Sequence, residues 1–120
     1  MDGAQPSALV VDDDASLRLL SRVNLELEGF AVREAHSLEV AREALASERP
    51  DVVLLDVHLG RESSEQLLDE LRAAGVPVCL VTGSADASVY RDRADAVLSK
   101  PFNPEELVAV AKRLAKVSPA

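Results

Sequence analysis

The stretch DVVLLD at residues 51–56 decides the fold. Its aliphatic centre has no polar alternate position, which is the pattern of a parallel strand buried on both faces. A second run, VPVCLV at 76–81, has the same character. Outward from these lie shorter β-rich runs: ALVVD at 8–12, a weak AVRE at 31–34, and ADAVLS at 94–99. Helical periods fill the gaps. Leu17, Leu20, Val23 and Leu27 share one face, with Gly29 as the stop. Leu38, Ala41 and Leu45 form a second stripe before Pro50, and Leu67, Leu68 and Leu71 a third closed by Gly75. Leu107, Val110, Ala111 and Leu114 form the last, entered through Asn103 as cap and Pro104 as first helical residue. The segment from Ala85 to Arg93 has a poor apolar stripe and predicts a fourth helix that is short or irregular. Strand and helix alternate throughout, which predicts an α/β fold with an open parallel sheet and helices on both faces.

The 120 residues suit one domain, with tails expected at 1–7 and 118–120 and fraying from Lys116 onward. Apolar residues are 48% and charged residues 28% of the chain, which argues against disorder. No apolar run approaches the ~20 residues of a membrane span, and the N-terminus has no signal-peptide core, so a cytoplasmic setting is expected. The single cysteine, Cys79, excludes an internal disulfide or a multi-cysteine zinc site and reads as a buried small hydrophobe. A net charge of −8 repels a phosphate backbone, and Phe30, Tyr90 and Phe102 are too few for base stacking. Direct nucleic-acid binding is therefore not expected.

In open parallel sheets, ligands bind at the carboxyl ends of the strands. The first predicted strand ends in Asp12, Asp13 and Asp14, the third in Asp56, the fourth in Thr82, and the fifth in Lys100-Pro101. Each has an ordinary alternative: Asp14 as an N-cap, Asp56 and Thr82 as turn residues, Lys100 as a solvated charge. Yet Lys100 is the only lysine before residue 112 in a chain rich in arginine. Together they place several carboxylates, a hydroxyl and an ammonium on one rim. Crowded carboxylates ionise together only beside a cation, and an all-oxygen set suits Mg²⁺. With a lysine and a hydroxyl nearby, one aspartate could accept a phosphoryl group. No nucleotide-cradling glycine motif is present, so the donor must come from outside.

The order VVDDD, DVVLLDVHL, VTG and SKPF resembles the receiver domain of bacterial two-component response regulators, over nearly the whole chain (8–114, with the domain taken as 8–117). The resemblance implies a doubly wound, flavodoxin-like sheet of five strands in the order 2-1-3-4-5. It implies Asp56 as the acceptor of a phosphoryl group from a phosphohistidine, carried by a sensor histidine kinase or phosphotransfer protein. Mg²⁺ would then be held by Asp13 directly, Asp12 through water, Asp56 and the backbone carbonyl of His58; the imidazole of His58 is not implied as a ligand. Thr82 would be the switch hydroxyl, Lys100 the partner of the phosphoryl oxygens, and the Lys100-Pro101 bond cis. The implied role is a phosphorylation switch of a protein–protein interaction, with no separate substrate turned over and no output module within these residues.

The chain departs from that family at four points. Gly60 stands where proline is common, Ser64 where glycine is frequent, and Val97 where a tyrosine or phenylalanine usually sits. The Thr82–Lys100 interval is also short. These predict an altered loop after Asp56 and a signal that does not use ring rotation at residue 97. Two other readings compete. One is a phosphorylation-independent binding module. The other is a small phosphatase resembling the haloacid-dehalogenase type, with Asp12 as nucleophile and Asp14 as general acid.

Overall fold

A computed structural model of the protein describes residues 5–83 and 87–117. Residues 1–4 and 118–120 of the expected tails, and 84–86 around the start of the fourth helical segment, lie outside the described residues. The elements are β1 (Ser7–Val11), α1 (Ala15–Leu27), β2 (Ala31–Ala35), α2 (Leu38–Ser47), β3 (Val52–Asp56), β4 (His58–Leu59), β5 (Glu62–Ser63), α3 (Glu65–Ala73), β6 (Val78–Gly83), α4 (Ala87–Tyr90), β7 (Ala96–Lys100) and α5 (Pro104–Leu114). The main sheet is parallel, in the order β2-β1-β3-β6-β7. Counted over its five strands, this is the expected 2-1-3-4-5.

Every residue of β3 is buried, as its unbroken aliphatic run requires. Alternate residues feed two cores. Leu9, Val11, Val53, Leu55 and Leu80 pack with Leu67, Leu68 and Leu71 of α3 and Ala41 of α2. Ala8, Val10, Leu54 and Cys79 pack with Leu25 of α1 and Leu107 and Ala111 of α5. Burial pushes the Cys79 thiol up to about 12, so it behaves as an inert apolar group.

The predicted stops work by a shared mechanism. At the ends of α1 and α3 the chain turns left-handed at Gly29 (φ 96°) and Gly75 (φ 77°). Phe30 N–H then donates to Leu25 O and Val76 N–H to Leu71 O, closing Schellman caps. The end of α5 does likewise without glycine: Lys116 has φ 59° and Val117 N–H donates to Lys112 O. Lys116 and Val117, expected to fray, are held in this cap. At the other end Asn103 and Glu106 form a reciprocal capping box. Asn103→Ala is expected to lower stability by about 1 kcal/mol in a denaturant titration. Of the residues expected in the N-terminal tail, Pro6 O accepts from Ala31 N–H and Ser7 belongs to β1.

One helix faces a different way from its predicted stripe. Ser21 and Leu25 are the buried residues of α1, while Leu20 (40% exposed), Val23 (43%) and Leu27 (77%) face solvent with Leu19. Leu25 enters the core with Phe30 and Leu107, and its burial turns that side of α1 inward. Arg18 Nε donates to Glu34 Oε1 (3.1 Å) and Arg22 Nη1 to Glu34 Oε2 (3.0 Å), linking the helix to β2.

Candidate functional site

Register brings the site together. Val11 lies opposite Leu55 and Asp56 opposite Val81, while Thr82 lies opposite Ser99 and Gly83 opposite Lys100. Asp12, Asp56, Thr82 and Lys100 therefore meet at the carboxyl rim of the sheet, as their positions in the sequence predict. Asp12, Asp13 and Asp56 each offer a carboxylate oxygen, all within 4.8 Å of one another. Lys100 Nζ donates to Asp56 Oδ2 at 2.9 Å and lies 3.8 Å from Asp12 Oδ2. The Lys100-Pro101 bond is cis.

Burial raises the Asp12 carboxyl to about 6; the hydrogen bond from Asp14 N–H opposes this, and the negative charge of Asp56 reinforces it. Burial lowers Lys100, but its hydrogen bond to Asp56 and the charge of Asp12 outweigh that and raise it. The ammonium therefore stays charged. Thr82 Oγ1 is buried and has no hydrogen-bond partner among the described residues. A buried hydroxyl without a partner is costly unless something is meant to occupy the space before it. Three carboxylates supplying only oxygen fit a hard divalent cation such as Mg²⁺, and a lysine with an unsatisfied hydroxyl beside them fits an incoming oxyanion.

Asp14 has a separate task. Its Oδ1 accepts from Ser16 N–H (2.9 Å) and Leu17 N–H (3.2 Å), capping α1. That is the capping role its sequence position predicts, and it leaves the phosphatase-type general acid already engaged.

The loop after Asp56 is a two-residue hairpin, β4–β5, which the sequence patterns did not foresee. Gly60 begins its turn at φ 63°, a value proline cannot adopt, which explains the glycine at a position where proline is common. Gly60 N–H donates to Asp13 Oδ2 (2.8 Å), a bond proline could not make. His58 N–H donates to Asp56 Oδ1 (3.2 Å), and its side chain is exposed. Ser64 N–H donates to Val57 O, so His58 opposite Ser63 is the non-bonded pair, its carbonyl turned out of the ladder.

Further contacts lie outside the sequence reading. Arg18 Nη1 donates to Asp12 O (2.8 Å), fixing the end of β1 from behind. On the other side, Val97 is half-buried, and the aromatic ring nearby belongs to Tyr90 in the four-residue α4. Tyr90 Oη donates to Glu65 Oε2 (3.1 Å), while Arg93 bridges Glu65 (2.6 Å) and Asp69 (3.1 Å). Arg93 and Tyr90 thereby hold the Glu65 carboxyl below its ordinary value and tie α4 to the first turn of α3. Among the described residues, the expected short or irregular fourth helix is one turn, Ala87–Tyr90.

The family model for the response regulator receiver domain matches residues 8–112. The chain is 38% identical over 114 residues to the DNA-binding response regulator MtrA of Mycobacterium tuberculosis, covering 91% of this chain and 50% of that protein. It is 37% identical over 107 residues to the response regulator MprA of Mycobacterium ulcerans, covering 84% and 46%. The chain thus spans about half the length of these curated relatives. Among solved structures it is similar to the receiver domain of NtrX from Brucella abortus (TM-score 0.84, 32% identity, 92% of this chain and 99% of that one). A CheY-like receiver from Methanospirillum hungatei superposes equally well (TM-score 0.84, 28% identity, 94% and 95%). With the motif residues at one rim and a match along nearly its whole length, this chain belongs to the response regulator receiver domain family.

Proposed function

We propose that the protein is the phosphoacceptor of a two-component phosphorelay, taking a phosphoryl group from a phosphohistidine onto Asp56. The observation that carries this reading is Lys100 Nζ at 2.9 Å from Asp56 Oδ2, inside a cluster of acids and beside the unpartnered Thr82 hydroxyl. Asp56 attacks phosphorus; an O–P bond forms as the donor's N–P bond breaks, and the imidazole keeps the electron pair. Lys100 and Thr82 Oγ1 donate to the phosphoryl oxygens. Asp12, Asp13, Asp56 and the His58 carbonyl would hold Mg²⁺, which when bound offsets the negative charge gathered there.

The phosphorylated surface then changes affinity for a protein partner, in the cytoplasm, and no other substrate is turned over. Among the described residues no helix is long and apolar enough to cross a membrane. Incubation with acetyl phosphate and Mg²⁺, followed by intact mass, tests the reading. One added phosphoryl group that requires Mg²⁺ is expected; turnover of acetyl phosphate with no mass gain would overturn it. Lys100→Ala should slow uptake by about tenfold in the same assay. That is less than a dry oxyanion site would lose, because the Lys100 side chain is 30% exposed and its charge is partly screened.

A further inference from the structure

We propose that Ser64 is a positioning residue for the phosphoacceptor, clamping the carbonyls of Asp56 and Val57 so that the 57–63 loop is held against Asp13. This rests on the phosphoacceptor reading above. Ser64 occupies the N-cap position of α3, where a serine hydroxyl normally accepts from the helix. Here it makes no such bond. Glu65 N–H is met by Ser63 Oγ instead (3.3 Å).

The Ser64 hydroxyl points the other way. Oγ lies 2.6 Å from Asp56 O and 3.0 Å from Val57 O. A hydroxyl has one proton, and the shorter contact takes it. Val57 O also receives Ser64 N–H at 2.9 Å. Ser64 therefore grips two successive carbonyls, one with its side chain and one with its backbone. The residue is wholly buried (0% exposed), so water cannot replace the bond when it is lost.

The clamp closes the base of the 57–63 loop. The same loop is fastened at its tip by Gly60 N–H to Asp13 Oδ2, and it carries the His58 carbonyl. Loosening the base would displace acceptor backbone, loop carbonyl and tip together. Glycine, frequent at this position in the family, has no hydroxyl with which to do this.

The test compares wild type, Ser64→Ala and Ser64→Cys, with Asn103→Ala as a control whose lost cap lies at the start of α5. Mg²⁺ affinity is read by titration, loop closure by hydrogen exchange at the Gly60 amide, and uptake by mass with acetyl phosphate. Ser64→Ala should bind Mg²⁺ about tenfold more weakly, exchange Gly60 faster, and take up phosphoryl more slowly. Ser64→Cys, which keeps the size and a weak donor, should fall between it and wild type. Asn103→Ala should lose stability with Mg²⁺ affinity unchanged. Mg²⁺ affinity within twofold of wild type in Ser64→Ala, or in Ser64→Cys should Ser64→Ala not fold, overturns the clamp alone. A wild type that neither binds Mg²⁺ nor gains mass overturns the phosphoacceptor reading, and the clamp's role with it.

Discussion

An Asp56→Asn chain is expected to gain no phosphoryl group from acetyl phosphate and Mg²⁺, with the wild type gaining one. The substitution replaces a carboxylate by an amide of equal shape, which is too weak a nucleophile for phosphorus. Its carbonyl oxygen can still accept from His58 N–H, so the turn out of β3 survives. Lys100 loses its charged partner at 2.9 Å and keeps Asp12 nearby. Circular dichroism and the unfolding midpoint should therefore show a folded chain. The predicted loss is total within the detection limit of intact mass. Mass gain that persists in Asp56→Asn but disappears in Asp12→Asn would move the nucleophile to Asp12 and favour the phosphatase-type reading.

The metal-free protein should become less stable as pH rises from about 4 to about 6, and Mg²⁺ should remove that fall. Asp12 ordinarily titrates at 3.8, and in the fold it is raised to about 6, chiefly by burial. Between those values the folded chain binds a proton that the unfolded chain has released, so stability falls with rising pH. The Asp12 side chain is only 10% exposed, but it lies at the sheet rim, where solvent screens it. That argues for about 2 kcal/mol, somewhat below the full value of the shift.

Glu34 works in the opposite sense. Hydrogen bonds from Arg22 and then Arg18 lower it from 4.5, so its contribution is lost only as pH falls below that value. The two windows barely overlap. Denaturant titrations at pH 4.5, 6 and 7 should show the decline in wild type and not in Asp12→Asn. Adding Mg²⁺ should flatten the wild-type curve, because a bound cation favours the ionised carboxylates. A decline of equal size in Asp12→Asn would assign it to other groups.

What the sequence determined is local or a matter of order. Aliphatic runs at 51–56 and 76–81 specify buried strands, and glycines 29 and 75 end helices because a left-handed residue is needed there. Asn103-Pro104 begins α5 through atoms within one turn. Strict alternation then forces parallel pairing, and parallel pairing brings every strand's carboxyl end to one rim. Asp12, Asp13, Asp56, Thr82 and Lys100 were legible for that reason.

Tertiary structure decided what depends on partners far along the chain. The exposed Leu20, Val23 and Leu27 match a buried stripe in period. Which side of α1 turns inward depends on the core that receives Leu25, built from strand and α5 residues far along the chain. The Tyr90, Arg93 and Glu65 contacts span 25 and 28 residues and leave no periodic trace. Ser64 looks like a helix cap by position, and only the buried carbonyl of Asp56, 2.6 Å from its hydroxyl, draws it away from that role. The raised Asp12 carboxyl is likewise the product of folding, since in the extended chain water would solvate its charge. Short-range patterns choose the elements; burial and long-range hydrogen bonds choose which groups in them become reactive.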